Sequence, residues 1–390
     1  MKVVVCGYMV RLPLAGNMLA YFHYVLGLHR LGHEVVYIEE SGWPWSSYNP
    51  VGLTWEKYPH TGLRMVRDLL AAHDVQVPVI YVDRGMRLAD RELRAQLKRI
   101  CGEADLLLNV GGVCWLPEFS LCPRRALIDM DPAFTQMGKF GAKLSDDYHV
   151  RFSYGANIGK PGCTIPTEDV EWLPTVPPVA LELWEGGPAP AGAPFTTIAN
   201  WNSFRGITYE GERYGQKGEE LLRLATLPRR TPQSLELAIS GAPDGAMRRL
   251  RAGGWSVVNA GEVSGDLPTY RGYIQNSRGE LSAAKHAYVK TRSGWFSDRS
   301  VCYLASGRPT ILQETGFSDW LETGRGVLSF SSVEEAAERI ETVNADYGLH
   351  CRAARELAEE TFSYKVVLPR LIEQAGYVTG YVAPQGGHTL

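Results

Sequence analysis

The first forty residues constrain the fold more than any other stretch. Val3–Cys6 is a short β-branched run of the kind that fills a buried parallel strand. A loop from Gly7 to Gly16 follows. Asn17–Leu31 then carries Leu19, Phe22, Leu26 and Leu31 at helical spacing, and Gly32 stops that helix. Val35–Ile38 reads as the next strand, ending in Glu39 and Glu40. Strand, loop, helix and strand in this order form a βαβ unit, which requires a parallel sheet and places ligands at the carboxyl ends of its strands. Helices Leu63–Ala72 and Asp90–Cys101, with strands Val79–Val82, Leu106–Val110 and Ala126–Ile128, continue the pattern. Loops starting at Gly7, Gly111 and Asp129 leave from the carboxyl ends.

The stretch from Pro174 to Pro194 is rich in Pro, Gly and Ala and reads as a linker. A second α/β pattern begins beyond it. It comprises strand Thr196–Ala199, helix Gly218–Ala225, strand Leu235–Ile239, helix Asp244–Ala252 and strand Ser256–Asn259. Helix Gly279–Ala287, strand Ala287–Lys290, helix Asp298–Ala305 and strand Thr310–Leu312 follow, then helices from Val333, His350 and Tyr364. At 390 residues, two domains are expected. The boundaries read as 1–180, 195–363 and a terminal helix and tail over 364–390.

A net charge of −3 argues against nucleic acid as a partner. The seven cysteines are scattered, with no CxxC pair and no Cys/His ligand spacing, so neither a disulfide framework nor a metal site is expected. The reading is a cytoplasmic protein in a reducing compartment. No run reaches the roughly 18 apolar residues of a membrane span, and no membrane-binding face is evident.

Four constellations carry candidate chemistry. Gly16 and Asn17 open the first helix at the ligand end of the sheet, a place for an acceptor. In the segment 288–311, a turn through Ser293, Gly294, Trp295 and Ser297 leads to Asp298 as N-cap and Arg299 in the first helical turn. Cations are disfavoured there, so Arg299 with Lys290 and Arg292 implies a missing anion such as a diphosphate. The plain alternative is that these side chains face water or pair with Asp298 and Glu314. Lys217 repeats the signal at another helix start, after a loop holding Ser203 and Arg205. The loop 41–58 offers Trp43 and Trp45 for stacking on an acceptor, or as a flap on its own domain.

The N-terminal glycine loop running into Gly32-His33-Glu34-Val35, the Lys217–Gly218 loop and Gly307-x-Pro309 together resemble GT-B glycosyltransferases, over nearly the whole chain. The segment 277–330 resembles their donor-binding half, and residues 129–136 and 152–159 are also similar to bacterial members. The resemblance implies two Rossmann-like domains facing across a cleft, with the C-terminal helix crossing back. It further implies a nucleoside diphosphate sugar bound by the second domain, and Glu314, Thr315 and Gly316 near its sugar. Two departures matter. The histidine base of the inverting enzymes aligns with Asn17, and the paired glutamates of retaining enzymes align with Gly294 and Cys302.

Asp131, in a turn stiffened by Pro132 after Ala126–Ile128, is the candidate base, with its pKa raised by burial. Asp129, His149 and His23 are weaker candidates. The expected function is metal-independent transfer of a sugar, with no cofactor, to a small natural-product acceptor. The alternatives are a nucleotide-sugar 2-epimerase and a non-catalytic nucleotide-sugar-binding protein. A homodimer is a further option for partners.

Overall fold

The structure, a computed structural model, describes residues 1–41, 45–83, 90–138 and 147–377. Trp43 lies outside the described residues. The first sheet has seven parallel strands in the order β5-β2-β1-β6-β7-β8-β9. These are β1 (Lys2–Cys6), β2 (Glu34–Ser41), β5 (Val79–Asp83), β6 (Leu106–Val110), β7 (Arg125–Asp129), β8 (Val150–Ser153) and β9 (Leu173–Pro174). A separate antiparallel hairpin, β3 (Ser47–Asn49) and β4 (Thr54–Glu56), stands beside it. Val4 sits between Val36 and Leu107 in register, and β6 is buried along its whole length, as continuous apolar strands covered on both faces require.

The second sheet has six parallel strands in the order β14-β13-β10-β15-β16-β17. They are β10 (Phe195–Asn200), β13 (Leu235–Ser240), β14 (Ser256–Asn259), β15 (Gly279–Ser282), β16 (Thr310–Gln313) and β17 (Val327–Phe330). The small hairpin β11 (Ile207–Tyr209) and β12 (Glu212–Tyr214) projects from the loop after β10. The helices used below are α1 (Ala15–Arg30), α2 (His60–Ala72), α3 (Lys217–Arg223), α4 (Leu267–Gln275), α5 (His286–Thr291), α6 (Asp298–Ala305) and α7 (Tyr364–Gln374).

One expectation changes. The segment expected to run helix then strand over 279–290 does the reverse: β15 spans 279–282 and α5 spans 286–291. The stretch 174–194 runs between β9 and β10 and is packed, burying Val176, Val179, Leu183 and Trp184 and containing a short 3-10 turn. The chain then returns at its end. Helix α7 packs on α1 of the first domain, burying Val367, Leu368, Leu371 and Ile372. The outgoing and returning segments touch: the Val179 N–H donates to the Phe362 carbonyl at 2.7 Å, and the Tyr364 N–H donates to the Val179 carbonyl at 2.9 Å. No helix among the described residues is long and apolar enough to cross a membrane.

Candidate active site

The carboxyl ends of both sheets face each other, and the loops leaving them meet. After β7 the chain turns through Asp129, Met130, Asp131 and Pro132. Asp129 is buried and fully engaged. Its carboxylate accepts from Thr135 Oγ1 (2.6 Å), the Asp131 N–H (3.0 Å), Gln136 Nε2 (2.8 Å) and Ser153 Oγ (2.7 Å). Burial raises its pKa, but with its oxygens committed to shaping the turn it is a support for Asp131 rather than a base.

Asp131 points across the domain gap. Its Oδ1 accepts from Lys285 Nζ, in the loop after β15, and from Tyr288 Oη of α5. The expectation that burial would raise its pKa is reversed. Burial acts in that direction, yet the Lys285 ammonium and the two hydrogen bonds outweigh it and hold the carboxyl below its ordinary value. The Lys285 ammonium is also boxed by rings, 4.4 Å from Phe204, 5.3 Å from Tyr288 and 5.4 Å from Phe134.

Lys217 opens α3 and is buried. Among the described residues its ammonium has no hydrogen-bond or ion-pair partner. Burial, and then the neighbouring Arg299 guanidinium, push its pKa well down. Arg299 itself is paired. Nε donates to Glu280 Oε1 at 2.7 Å and Nη2 to Ser282 Oγ at 2.8 Å, and Glu280 is fully buried. Thus Lys217 and Arg299 share one electrostatic environment at the carboxyl end of the second sheet. The carboxylate facing Arg299 is Glu280 rather than Asp298 or Glu314. Asp298 is the first residue of α6, with Ser297 as N-cap, and burial raises its pKa. A narrow pocket of about 10 Å³, room for about one water molecule, lies here, walled by Ser282, Trp295, Ser297, Arg299, Gln313 and Thr315.

The remaining donor candidates divide. Ser293, Gly294 and Trp295 form the domain contact. Trp295 Nε1 donates to the Met130 carbonyl at 3.1 Å, and the Ser293 carbonyl accepts from the Asn157 N–H at 3.0 Å. Asn157 Nδ2 then donates to the Gly316 carbonyl at 2.9 Å. Gly294 and Gly316 both have left-handed backbones (φ +76° and +91°), and a Cβ on either would meet Asn157 at 2.8 Å or less. Thr315 Oγ1 braces the Trp295 carbonyl, and Glu314 Oε1 accepts from the Gly316 N–H at 2.6 Å. Lys290 is drawn away from the pocket: on α5 it pairs with Glu212 of β12 at 2.8 Å. Arg292 likewise pairs with Asp319. Ser203 and Arg205 are exposed on the loop after β10.

On the first domain, Asn17 spends both amide hydrogens on the Tyr8 and Leu12 carbonyls, at 2.7 and 2.8 Å, and so shapes the loop after β1. Gly16 faces Tyr270 of α4 in the other domain rather than open space. That first loop holds an anion of its own. Buried Glu39 accepts from the Val10 and Arg11 N–H groups at 2.8 and 2.7 Å and from Tyr37 Oη, and burial lifts its pKa to about 7. His23 is buried with its pKa pushed down to about 3. His149 lies at the amino end of β8, accepting from the Arg125 N–H, at the far end of the sheet from the cleft. Trp45 is exposed at the rim. No group of three or more metal-ligating side chains occurs among the described residues. Sequence reasoning missed Lys285, Tyr288, Asn157, Glu280 and Tyr270.

No family model matches the chain, and no curated protein sequence matches it. Solved structures do. An alpha-glucosyltransferase in complex with UDP and a 13-mer DNA superposes with a TM-score of 0.59 at 10% identity, covering 96% of this chain and 99% of that one. AviGT4, a glycosyltransferase involved in avilamycin A biosynthesis, gives 0.57 at 13% identity over 98% and 99%. HepE of Anabaena, in complex with UDP and glucose, gives 0.57 at 11% identity over 96% and 99%. The chain therefore has the GT-B fold, with two Rossmann-like domains and a returning C-terminal helix.

Proposed function

We propose that this protein is a glycosyltransferase that moves a sugar from a nucleoside diphosphate sugar to an acceptor bound against the first domain. The observation that carries the reading is Lys217, a largely buried side chain whose ammonium has no hydrogen-bond or ion-pair partner among the described residues, beside Arg299 in the second domain of a GT-B fold. Holding an unpaired cation in so enclosed a place is costly, and a diphosphate here would neutralise it. The structural neighbours crystallised with UDP support the same assignment. The first domain is the acceptor side, because its glycine loop is already closed on Glu39.

In this reading Lys217 and Arg299 stabilise the leaving diphosphate, and Asp131 takes the proton of the acceptor hydroxyl. The hydroxyl oxygen bonds to the sugar's anomeric carbon as the bond from that carbon to the diphosphate breaks. Lys285 must move off Asp131 for that carboxylate to act as base. A net charge of −3 favours a small-molecule acceptor over DNA. The test is binding and turnover together: UDP should raise the melting temperature where uridine does not, and UDP-glucose should release UDP. Equal stabilisation by UDP and uridine would defeat the diphosphate assignment.

A further inference from the structure

Eight large hydrophobic side chains are exposed among the described residues, and five of them, Trp45, Val51, Leu53, Trp55 and Tyr58, fall in one short stretch of the first domain. Scattered exposed apolar groups need no explanation, whereas a cluster of this size marks a surface that meets something. The stretch is built as a firm platform. Tyr48 pairs with Trp55 across the β3–β4 hairpin, with their rings 5.4 Å apart edge to face. Asn49 Oδ1 accepts from the Val51 and Gly52 N–H groups at 3.0 Å each, and Asn49 Nδ2 donates to Glu56. This turn lifts Val51 and Leu53 into solvent at 81% and 68% exposure, where turns ordinarily carry polar residues.

A cationic rim adjoins the apolar tip. The Lys57 ammonium lies 5.2 Å from the Tyr58 ring, and that ring lies 6.0 Å from the His60 ring at the start of α2. Arg64 and Arg67 are exposed on the next turns of α2, and neither has a hydrogen-bond or ion-pair partner among the described residues. Between residues 45 and 72 the acidic side chains are Glu56, turned onto Asn49 and Thr61, and Asp68. The patch is thus apolar at its tip and positive at its edge, in a chain whose net charge is −3.

We propose that the β3–β4 hairpin and the start of α2 dock this protein on an anionic lipid bilayer, with Val51, Leu53 and Trp55 in the interface and Lys57, Arg64 and Arg67 against the headgroups. This replaces the expectation that no membrane-binding face exists. Apolar insertion with a basic rim is the composition that binds such interfaces. Aliphatic Val51 and Leu53 at the apex suit acyl chains better than base stacking, which sets lipid above nucleic acid. The hairpin is tied to the cleft: the Tyr48 N–H donates to the Arg11 carbonyl at 2.8 Å, in the loop after β1. Docking would therefore turn the acceptor side of the cleft toward the membrane.

The full chain should co-sediment with vesicles of phosphatidylcholine and phosphatidylglycerol in equal parts, and about tenfold less with phosphatidylcholine alone. Leu53→Ser with Trp55→Ser should lower partition to the mixed vesicles by about tenfold or more, with an unchanged melting temperature. Lys57→Glu with Arg64→Glu should abolish the preference for the anionic lipid. These readings do not depend on sugar transfer. Absence of sedimentation with either vesicle, or equal sedimentation of the Leu53→Ser/Trp55→Ser variant, overturns the proposal. So does a wild-type dimer in light scattering that the same variant dissociates, which would make the occupant a second copy. Tighter binding to a duplex DNA oligomer than to the mixed vesicles would overturn it in favour of nucleic acid.

Discussion

Asp131 and Lys285 belong to different domains, and the carboxylate of one accepts a hydrogen bond from the ammonium of the other, with Tyr288 donating to the same oxygen. The contact joins the proposed base to the sheet that would hold the donor. Asp131→Asn is expected to leave UDP affinity unchanged and to lower turnover of UDP-glucose by about 10²–10⁴-fold. Calorimetric titration with UDP and a coupled UDP-release assay measure the two quantities, and near wild-type turnover would remove Asp131 from the mechanism.

Lys217 sets stability against binding. Its folded pKa is depressed, so the folded protein holds that proton less well than the unfolded chain, whose lysine titrates near 10.5. The ammonium therefore opposes folding at neutral pH, and stability from this group rises as pH climbs toward 10.5. Lys217→Met should raise the melting temperature without ligand while weakening UDP about ten- to hundredfold. A variant that melts lower and binds UDP normally would show that Lys217 is structural.

Glu39 gives the opposite pH signature. Its pKa rises from 4.5 to about 7 on folding. Between those values the folded protein binds more protons than the unfolded chain, so stability falls as pH rises from about 4.5 to about 7. The loss is on the order of 3 kcal/mol over the window. Urea melts at pH 5 and pH 8 measure it, and Glu39→Gln should flatten the difference.

Gly316 and Asn157 should couple. Gly316→Ala places a methyl group 2.6 Å from Asn157 Nδ2 at a left-handed position, costing about 1–3 kcal/mol of unfolding free energy. Asn157→Ala removes the nearest obstacle, leaving the Arg292 carbonyl oxygen at 2.9 Å, together with its own bonds to the Gly316 and Arg292 carbonyls. The double variant should therefore lose less than the two single losses added together, and strict additivity in denaturant melts would contradict the contact.

Periodicity carried the architecture. The first strand, helix α1 and strands β10, β13, β14 and β16 are legible from apolar runs and spacing, whereas β8, β9 and β17 were not read. The exception, 279–291, shows where that logic ends: β15 is four residues buried on every side, and α5 contains Tyr288 and Val289, types favoured in strands. A cation at a helix start is locally anomalous and drew attention to Lys217 and Arg299, but for Arg299 the anion is the chain's own Glu280, a strand residue with no sequence signal tying it to that helix. Lys285 is also a cation at a helix start, as the N-cap of α5, but reading a helix over 279–287 hid it inside that element, and its partner lies 154 positions away in the other domain. Asn157 is the same case, its side-chain bond to Gly316 spanning 159 positions.

The chain passes between domains twice, and those two passages are hydrogen-bonded side by side at Val179, Phe362 and Tyr364. A single tether would let the second domain swivel freely. Two tethers fastened together leave one easy motion, rotation about an axis through the fastening, and resist twisting about any other. Lys285 against Asp131 and Trp295 against Met130 are then contacts whose partners are brought together by the covalent path of the backbone, and the first of them is the one that must part for Asp131 to act as base.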